Sequence, residues 1–184
     1  MANLIATTTS SQLVIVDMQV KLSAVMPADA MQVTAKNCGV LAQAANLLEV
    51  PILVTEQYPQ GLGETLSELS QYLTKARIIA KTAFSAYGEP KFSQQLHRDK
   101  TQILLCGMEA HICVLQTALD LLQQGKQVFV LEDAVISRNL SNKTNALSRL
   151  QAVGCVITNT ESVLFEWLGS ANHEAFKALS KLIR

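Results

Sequence analysis

Short apolar runs alternate with helix-period segments from one end of the chain to the other. Leu13-Val14-Ile15-Val16 is a near-continuous apolar run that stops at Asp17, as expected for a strand buried on both faces. Val33, Val40, Leu41, Ala44 and Leu48 then fall on one helical stripe. Pro51 restarts the chain and Ile52-Leu53-Val54 predicts a second strand. Turn chemistry follows at Tyr58-Pro59-Gln60-Gly61-Leu62-Gly63, then a short helix carried by Leu62, Leu66, Leu69 and Leu73. Ile78-Ile79-Ala80 predicts a third strand ending at Lys81, and residues 90–98 a polar helical segment. Ile103-Leu104-Leu105-Cys106-Gly107 predicts the fourth strand. The stripe Ile112, Leu115, Leu119 and Leu122 predicts a helix closed by Gly125. Val128–Leu131 reads as the fifth strand, 133–139 as a loop, and Ser141 as the cap of a helix reaching about Val153. Val156-Ile157-Thr158 is the sixth strand, and Phe176, Leu179 and Ile183 mark a last helix. Six strands alternating with helices call for an α/β fold, a parallel sheet in a three-layer α/β/α arrangement. The 184 residues fit a single domain spanning 1–184, with 56–77 as a candidate flap.

Composition narrows the function classes. The chain is 49% hydrophobic and 16% charged, enough apolar material for a large core. Fifteen basic and fifteen acidic residues cancel, and no Lys/Arg cluster exceeds two residues. A nucleic-acid partner or an anionic membrane surface would need such a cluster. MANLIATTTSSQ lacks the basic and apolar regions of a signal peptide, and no apolar run has the length of a membrane span. The expectation is a cytoplasmic protein whose partner is a small molecule. Cys38, Cys106, Cys113 and Cys155 show no CxxC spacing, so they read as thiols in a reducing compartment.

In an open parallel sheet, ligands bind beyond the carboxyl ends of the strands. Those ends carry Asp17 and Gln19, Glu56 and Tyr58, Lys81 and Phe84, then Glu109, His111 and Cys113, and Glu132 and Asp133. An acid, a lysine and a cysteine therefore share one edge. Cys113 falls in the first helical turn after strand four, where the helix dipole favours thiolate and a nearby ammonium would favour it further. The same spacing also fits an inert core cysteine, the reading that suits Cys38, Cys106 and Cys155. Asp17 alone could cap a loop and Lys81 could be merely solvated. Three dispersed histidines, His97, His111 and His173, make a metal cluster unexpected, and His111 reads as a pocket-rim or loop residue. GxGxxG, Walker A and GxSxG patterns are absent.

Three segments carry a resemblance: Val14-Ile15-Val16-Asp17-Met18-Gln19, Ala80-Lys81-Thr82-Ala83-Phe84-Ser85, and Cys106-Gly107-Met108-Glu109-Ala110-His111-Ile112-Cys113-Val114. In order and spacing they resemble the signature blocks of the isochorismatase-like cysteine hydrolases. Thr55-Glu56-Gln57-Tyr58-Pro59, Gly61-Leu62-Gly63, Asp133-Ala134 and Ser137-Arg138 are similar to the isochorismatase-domain-containing subgroup. The resemblance implies a Rossmann-like sheet of order 3-2-1-4-5-6 and a catalytic triad. Cys113 would be the nucleophile, Asp17 the proton-transferring acid and Lys81 its charge partner. It also implies a cis peptide joining Met108 and Glu109, which would turn the amides of Glu109 and Cys113 toward one point as an oxyanion hole. The implied chemistry is hydrolysis of a C–N bond through a Cys113 thioester, without cofactor or metal, in a homo-oligomer.

Some features depart from the wider superfamily. Its nicotinamidases place a metal-binding histidine after strand two, where this chain reads Glu56-Gln57-Tyr58. Its true isochorismatases lack the cysteine. A nicotinamidase-like deamidase working without metal and a non-catalytic binding protein on the same fold remain alternatives. Gln19, Glu56, Tyr58, Phe84 and His111 are the expected pocket residues. The implied strand order sets strand three two strands from strand one, about 10 Å away, so Lys81 must lean across strand two to meet Asp17.

Overall fold

The computed structural model describes residues 4–183; the first three residues of the amino-terminal segment read above lie outside that range, as does residue 184. Six parallel strands, β1 (Ser11–Val16), β2 (Ile52–Gln57), β3 (Arg77–Lys81), β4 (Gln102–Met108), β5 (Gln127–Ile136) and β6 (Val156–Thr158), form one sheet in the order β3-β2-β1-β4-β5-β6. Alternation along β1 explains the layering. Leu13 and Ile15 pack with α2 (Ala28–Leu47), α8 (Thr160–Leu168) and α9 (Phe176–Leu182) on one face. Val14 and Val16 pack with α5 (Pro90–Gln95), α6 (Leu115–Gln123) and α7 (Leu140–Ala152) on the other. Every residue of β1 and β4 is buried, as apolar strands covered on both sides must be.

The connections place the carboxyl ends of β1 to β4 together. Val16 is in register with Thr55 on β2 and with Gly107 on β4, and Gln57 is in register with Lys81 on β3. Gly107 is required for that approach. Its φ is +113°, and a Cβ there would lie 2.0 Å from the Val16 carbonyl oxygen.

Several local expectations are corrected. Of the expected α2 stripe, Val40, Leu41 and Ala44 are buried but Val33 is exposed, and the buried set also takes in Met31, Thr34, Ala35, Cys38, Ala42 and Ala45. Small residues let α2 lie close, and apolarity alone does not reveal them. The expected helix through Leu62–Leu73 is two single turns, α3 (Pro59–Leu62) and α4 (Ser67–Ser70), separated by Gly63 at φ +81°. Leu69 and Leu73 still anchor it in the core. The expected loop at 133–139 is largely strand. After an irregularity facing Leu105–Gly107, β5 resumes pairing at Val135 and Ile136, and the Asp133 carboxylate turns aside to accept from the Thr160 amide and hydroxyl. Asn139, not Ser141, caps α7, its side chain accepting from the Ser141 amide. The polar segment at 90–98 is helical only to Gln95, and α8 was not anticipated. Among the described residues, no helix is long and apolar enough to cross a membrane.

Gly107→Ala is expected to cost about 3 kcal/mol or more of folding stability, from positive φ and overlap with backbone together, read as a lowered urea midpoint. An unchanged midpoint would show that β1 and β4 need not approach so closely.

Candidate active site

Asp17 follows directly from β1 and adopts φ +51°, a left-handed conformation that short acidic side chains tolerate. Its amide donates to the Thr55 carbonyl, its carbonyl accepts from the Gln19 amide, and the side chain is fully buried. The Thr55 hydroxyl donates to Oδ1 at 2.6 Å, and the Lys81 ammonium lies 2.7 Å from Oδ2. Oδ2 has no further hydrogen-bond partner among the described residues. Lys81 does lean over β2. It starts from the end of β3, in register with Gln57, and is likewise buried. Beyond Asp17 its ammonium donates to Gln57 Oε1 at 2.5 Å and to the carbonyls of Ala83 and Phe84. A buried ion pair persists only where such acceptors replace lost water.

The third side chain arrives from β4. The Met108–Glu109 peptide bond is cis. The chain then makes a π-type turn over Ala110–Val114 before α6 begins. Cys113 lies within that turn, 6% exposed, its Sγ 3.9 Å from Gln57 Oε1. Burial pushes its thiol up to about 12, the Asp17 charge reinforcing that effect and the Lys81 charge opposing it. The expectation of a thiolate favoured by a helix terminus is therefore corrected. Desolvation and the Asp17 charge both act against the thiolate, opposite to the expected direction, and favour a neutral thiol at rest.

Asp17, Lys81 and Cys113 thus form one buried cluster. The expected pocket residues divide. Tyr58 and Phe84 are each 55% exposed, free to meet a ligand. Gln19 and Glu56 serve the flap instead. Gln19 accepts from the Gln57 amide and donates to the carbonyls of Gln57 and Gly63. Glu56 Oε1 accepts from both the amide and hydroxyl of Thr65. The Glu109 carboxylate accepts from the Arg138 amide and guanidinium. His111 Nδ1 is 2.9 Å from Ser137 Oγ and its Nε2 is 3.4 Å from Asn142. Among the described residues no three His, Cys, Asp or Glu side chains converge as a metal site would need. Gln57 was missed. Nothing in a single glutamine distinguishes it, though its position two residues beyond Thr55 at the end of β2 could have drawn attention. Surface cavities of about 280–470 Å³ lined by Ala45 and Pro51, by Gln43 and Tyr72, or by Ile79 and Lys91 lie away from this cluster.

Comparison with known proteins gives these residues a setting. Residues 11–162 match the isochorismatase domain family. Isochorismatase domain-containing protein 2 of Homo sapiens is 42% identical over 146 residues, covering 78% of this chain and 69% of that protein. The secreted isochorismatase effector of Phytophthora sojae is 42% identical over 150 residues, 78% of this chain and 71% of the effector. Among solved structures, the MAR1 ribonuclease of Caenorhabditis elegans superposes with a TM-score of 0.92 at 34% identity, covering 97% of this chain and 92% of that one.

With the thiol raised to about 12, thiolate and hence alkylation should increase roughly tenfold per pH unit from pH 7 to 10 without levelling. Mass-spectrometric location of iodoacetamide adducts on native protein checks this. In urea the same cysteine should level off near its ordinary value of about 8.5. A plateau below pH 9 in the native protein would contradict the neutral resting thiol.

Proposed function

The chain belongs to the isochorismatase family, whose fold is that of hydrolases, and within it we propose that this protein is a metal-independent cysteine hydrolase cleaving an amide-like C–N bond of a small molecule. The observation that carries the reading is the buried Asp17–Lys81 pair beside Cys113, whose thiol is pushed up by burial and by the Asp17 charge. A neutral thiol is a poor nucleophile and needs a base at the moment of attack, and Asp17 is the carboxylate within its field.

The steps follow from that arrangement. Asp17 takes the thiol proton as sulfur attacks the carbonyl carbon, and the carbonyl electron pair moves to oxygen. The amides of Glu109 and Cys113, at the start and within the turn that carries the sulfur, are the proposed donors to that oxyanion. When it collapses, the C–N bond breaks and Asp17 gives its proton to the departing nitrogen. Asp17 then deprotonates water, which attacks the thioester, and the released sulfur recovers a proton. Lys81 stays positive throughout, offsetting whichever of Asp17 and Cys113 bears the negative charge. The exposed faces of Tyr58 and Phe84 are proposed to border the substrate.

The nicotinamidase-like alternative differs only in substrate. The place where a metal histidine would stand holds Glu56, whose Oε1 accepts from Thr65, and Gln57, which turns to Lys81. Balanced charge without basic clusters gives RNA no electrostatic hold on this chain, which argues against the ribonuclease activity named for the Caenorhabditis elegans relative. Assembly into a homo-oligomer is also proposed, with exposed Val20, Val25 and Leu140 as apolar surface available for it; sedimentation as a monomer at micromolar concentration would refute it.

In a screen of small carboxamides, Cys113→Ala should lower kcat/KM by roughly 10³-fold or more with an unchanged melting temperature, and a chelator should have no effect. Retained turnover in that variant would overturn the nucleophile assignment. Asp17→Asn should separate two properties. Turnover falls because no base remains, while alkylation of Cys113 at pH 8 rises because the charge that suppresses its thiolate is gone. Parallel loss of both would argue that Asp17 serves only to hold the site together.

A further inference from the structure

Gln57 is the residue on which the Lys81 ammonium and the Cys113 sulfur meet. Its carboxamide oxygen accepts from the Lys81 ammonium at 2.5 Å and lies 3.9 Å from the Cys113 sulfur. The orientation of that amide is fixed from the other end, because Nε2 donates to the Thr82 carbonyl at 2.8 Å. Flipping the group would set its NH2 against the ammonium and abandon the Thr82 oxygen. The backbone is held as firmly. The Gln57 amide donates to Gln19 Oε1, and the Gln57 carbonyl accepts from Gln19 Nε2. Gln19 in turn belongs to the segment that carries Asp17. The end of β2 is therefore clamped to the end of β1 by two hydrogen bonds, and its side chain is directed at the catalytic lysine by a third.

Resting on the hydrolase reading above, we propose that Gln57 is a positioning residue that holds the Lys81 ammonium against the Cys113 sulfur while Asp17 takes and returns the proton. The need for it arises from charge. When Asp17 accepts the thiol proton it becomes neutral, and the ion pair that draws Lys81 toward β1 vanishes at the step where positive charge beside sulfur matters most. The acceptors that remain are neutral and do not change with protonation: Gln57 Oε1 and the carbonyls of Ala83 and Phe84. The two carbonyls belong to the strand end and loop that follow Lys81 itself, so they move with it. Of the three, Gln57 lies on β2 and has its backbone fastened to the end of β1 by Gln19, and its oxygen is 3.9 Å from the sulfur. It fixes the ammonium relative to Cys113, not merely relative to β3.

The test uses alkylation of Cys113 by iodoacetamide at pH 8, followed by mass spectrometry, and needs no substrate. Gln57→Leu is made in the natural sequence and in a Lys81→Gln background. Acting through Lys81, the leucine should slow labelling roughly tenfold where Lys81 is present and leave it unslowed where it is absent. Equal slowing in both backgrounds, or no slowing with Lys81 present, overturns the proposal. A merely structural glutamine would lower the melting temperature of both proteins and leave the dependence on Lys81 intact. Should the leucine variant fail to fold, Gln57→Glu keeps shape and acceptor. Its added charge beside the ammonium and sulfur should displace the labelling profile to higher pH, and a profile overlaying that of the unaltered protein refutes the contact. Failure of the hydrolase reading would appear separately, as absent turnover or turnover without Cys113, whatever this cycle returns.

Discussion

A buried ion pair reaching over a strand constrains everything else at the edge of the sheet. Asp17 and Lys81 belong to strands that do not touch, yet their charged atoms meet at 2.7 Å with no solvent exposure. Two charges removed from water are tolerated only with compensating hydrogen bonds. Thr55 and Gln57 from the intervening strand, and two carbonyls after Lys81, supply them. This requirement accounts for otherwise unrelated features. β2 must end in polar residues although its middle is apolar, Asp17 must leave its strand with positive φ, and the flap must fold back so that Gln19 and Glu56 can fasten it.

On the proposed mechanism, a Cys113 thiol that stays protonated at rest suits that pair. A permanently ionised sulfur so close to Asp17 would place two negative charges on one ammonium. Keeping the sulfur protonated until a substrate arrives leaves one negative and one positive charge in the site at rest, and the same balance after the proton has moved to Asp17. The cost is that reactivity depends on proton transfer inside the cluster, so the geometry of the ammonium becomes as important as that of the nucleophile.

Much of this was legible in the chain itself, for identifiable reasons. Continuous apolar runs such as Leu13–Val16 and Ile103–Cys106, short and bounded by polar or turn residues, read as strands covered on both faces, so the layers and the carboxyl edge of the sheet followed from pattern. Asp17, Lys81 and Cys113 stood where such runs stop. That they share one edge followed from pattern, but the contact of Lys81 with Asp17 did not, because it depends on a lysine crossing a strand. For Cys113, a sequence shows the helix dipole that favours thiolate but not the burial and the Asp17 charge that oppose it. The roles of Gln19 and Glu56 were inverted for a similar reason: polar residues at strand ends look alike until their partners, Gln57, Gly63 and Thr65, are folded against them. Val33 and the 133–139 segment were misread where small residues or an irregular strand departed from simple periodicity.

The most direct test of the account is acid-quenched intact-mass and peptide mass spectrometry of the protein during turnover of an activated small amide or ester. The account predicts an acyl adduct on Cys113 that decays as product forms, and that persists longer in Asp17→Asn because water is no longer deprotonated. Turnover with no adduct, or an adduct on another residue, would contradict it.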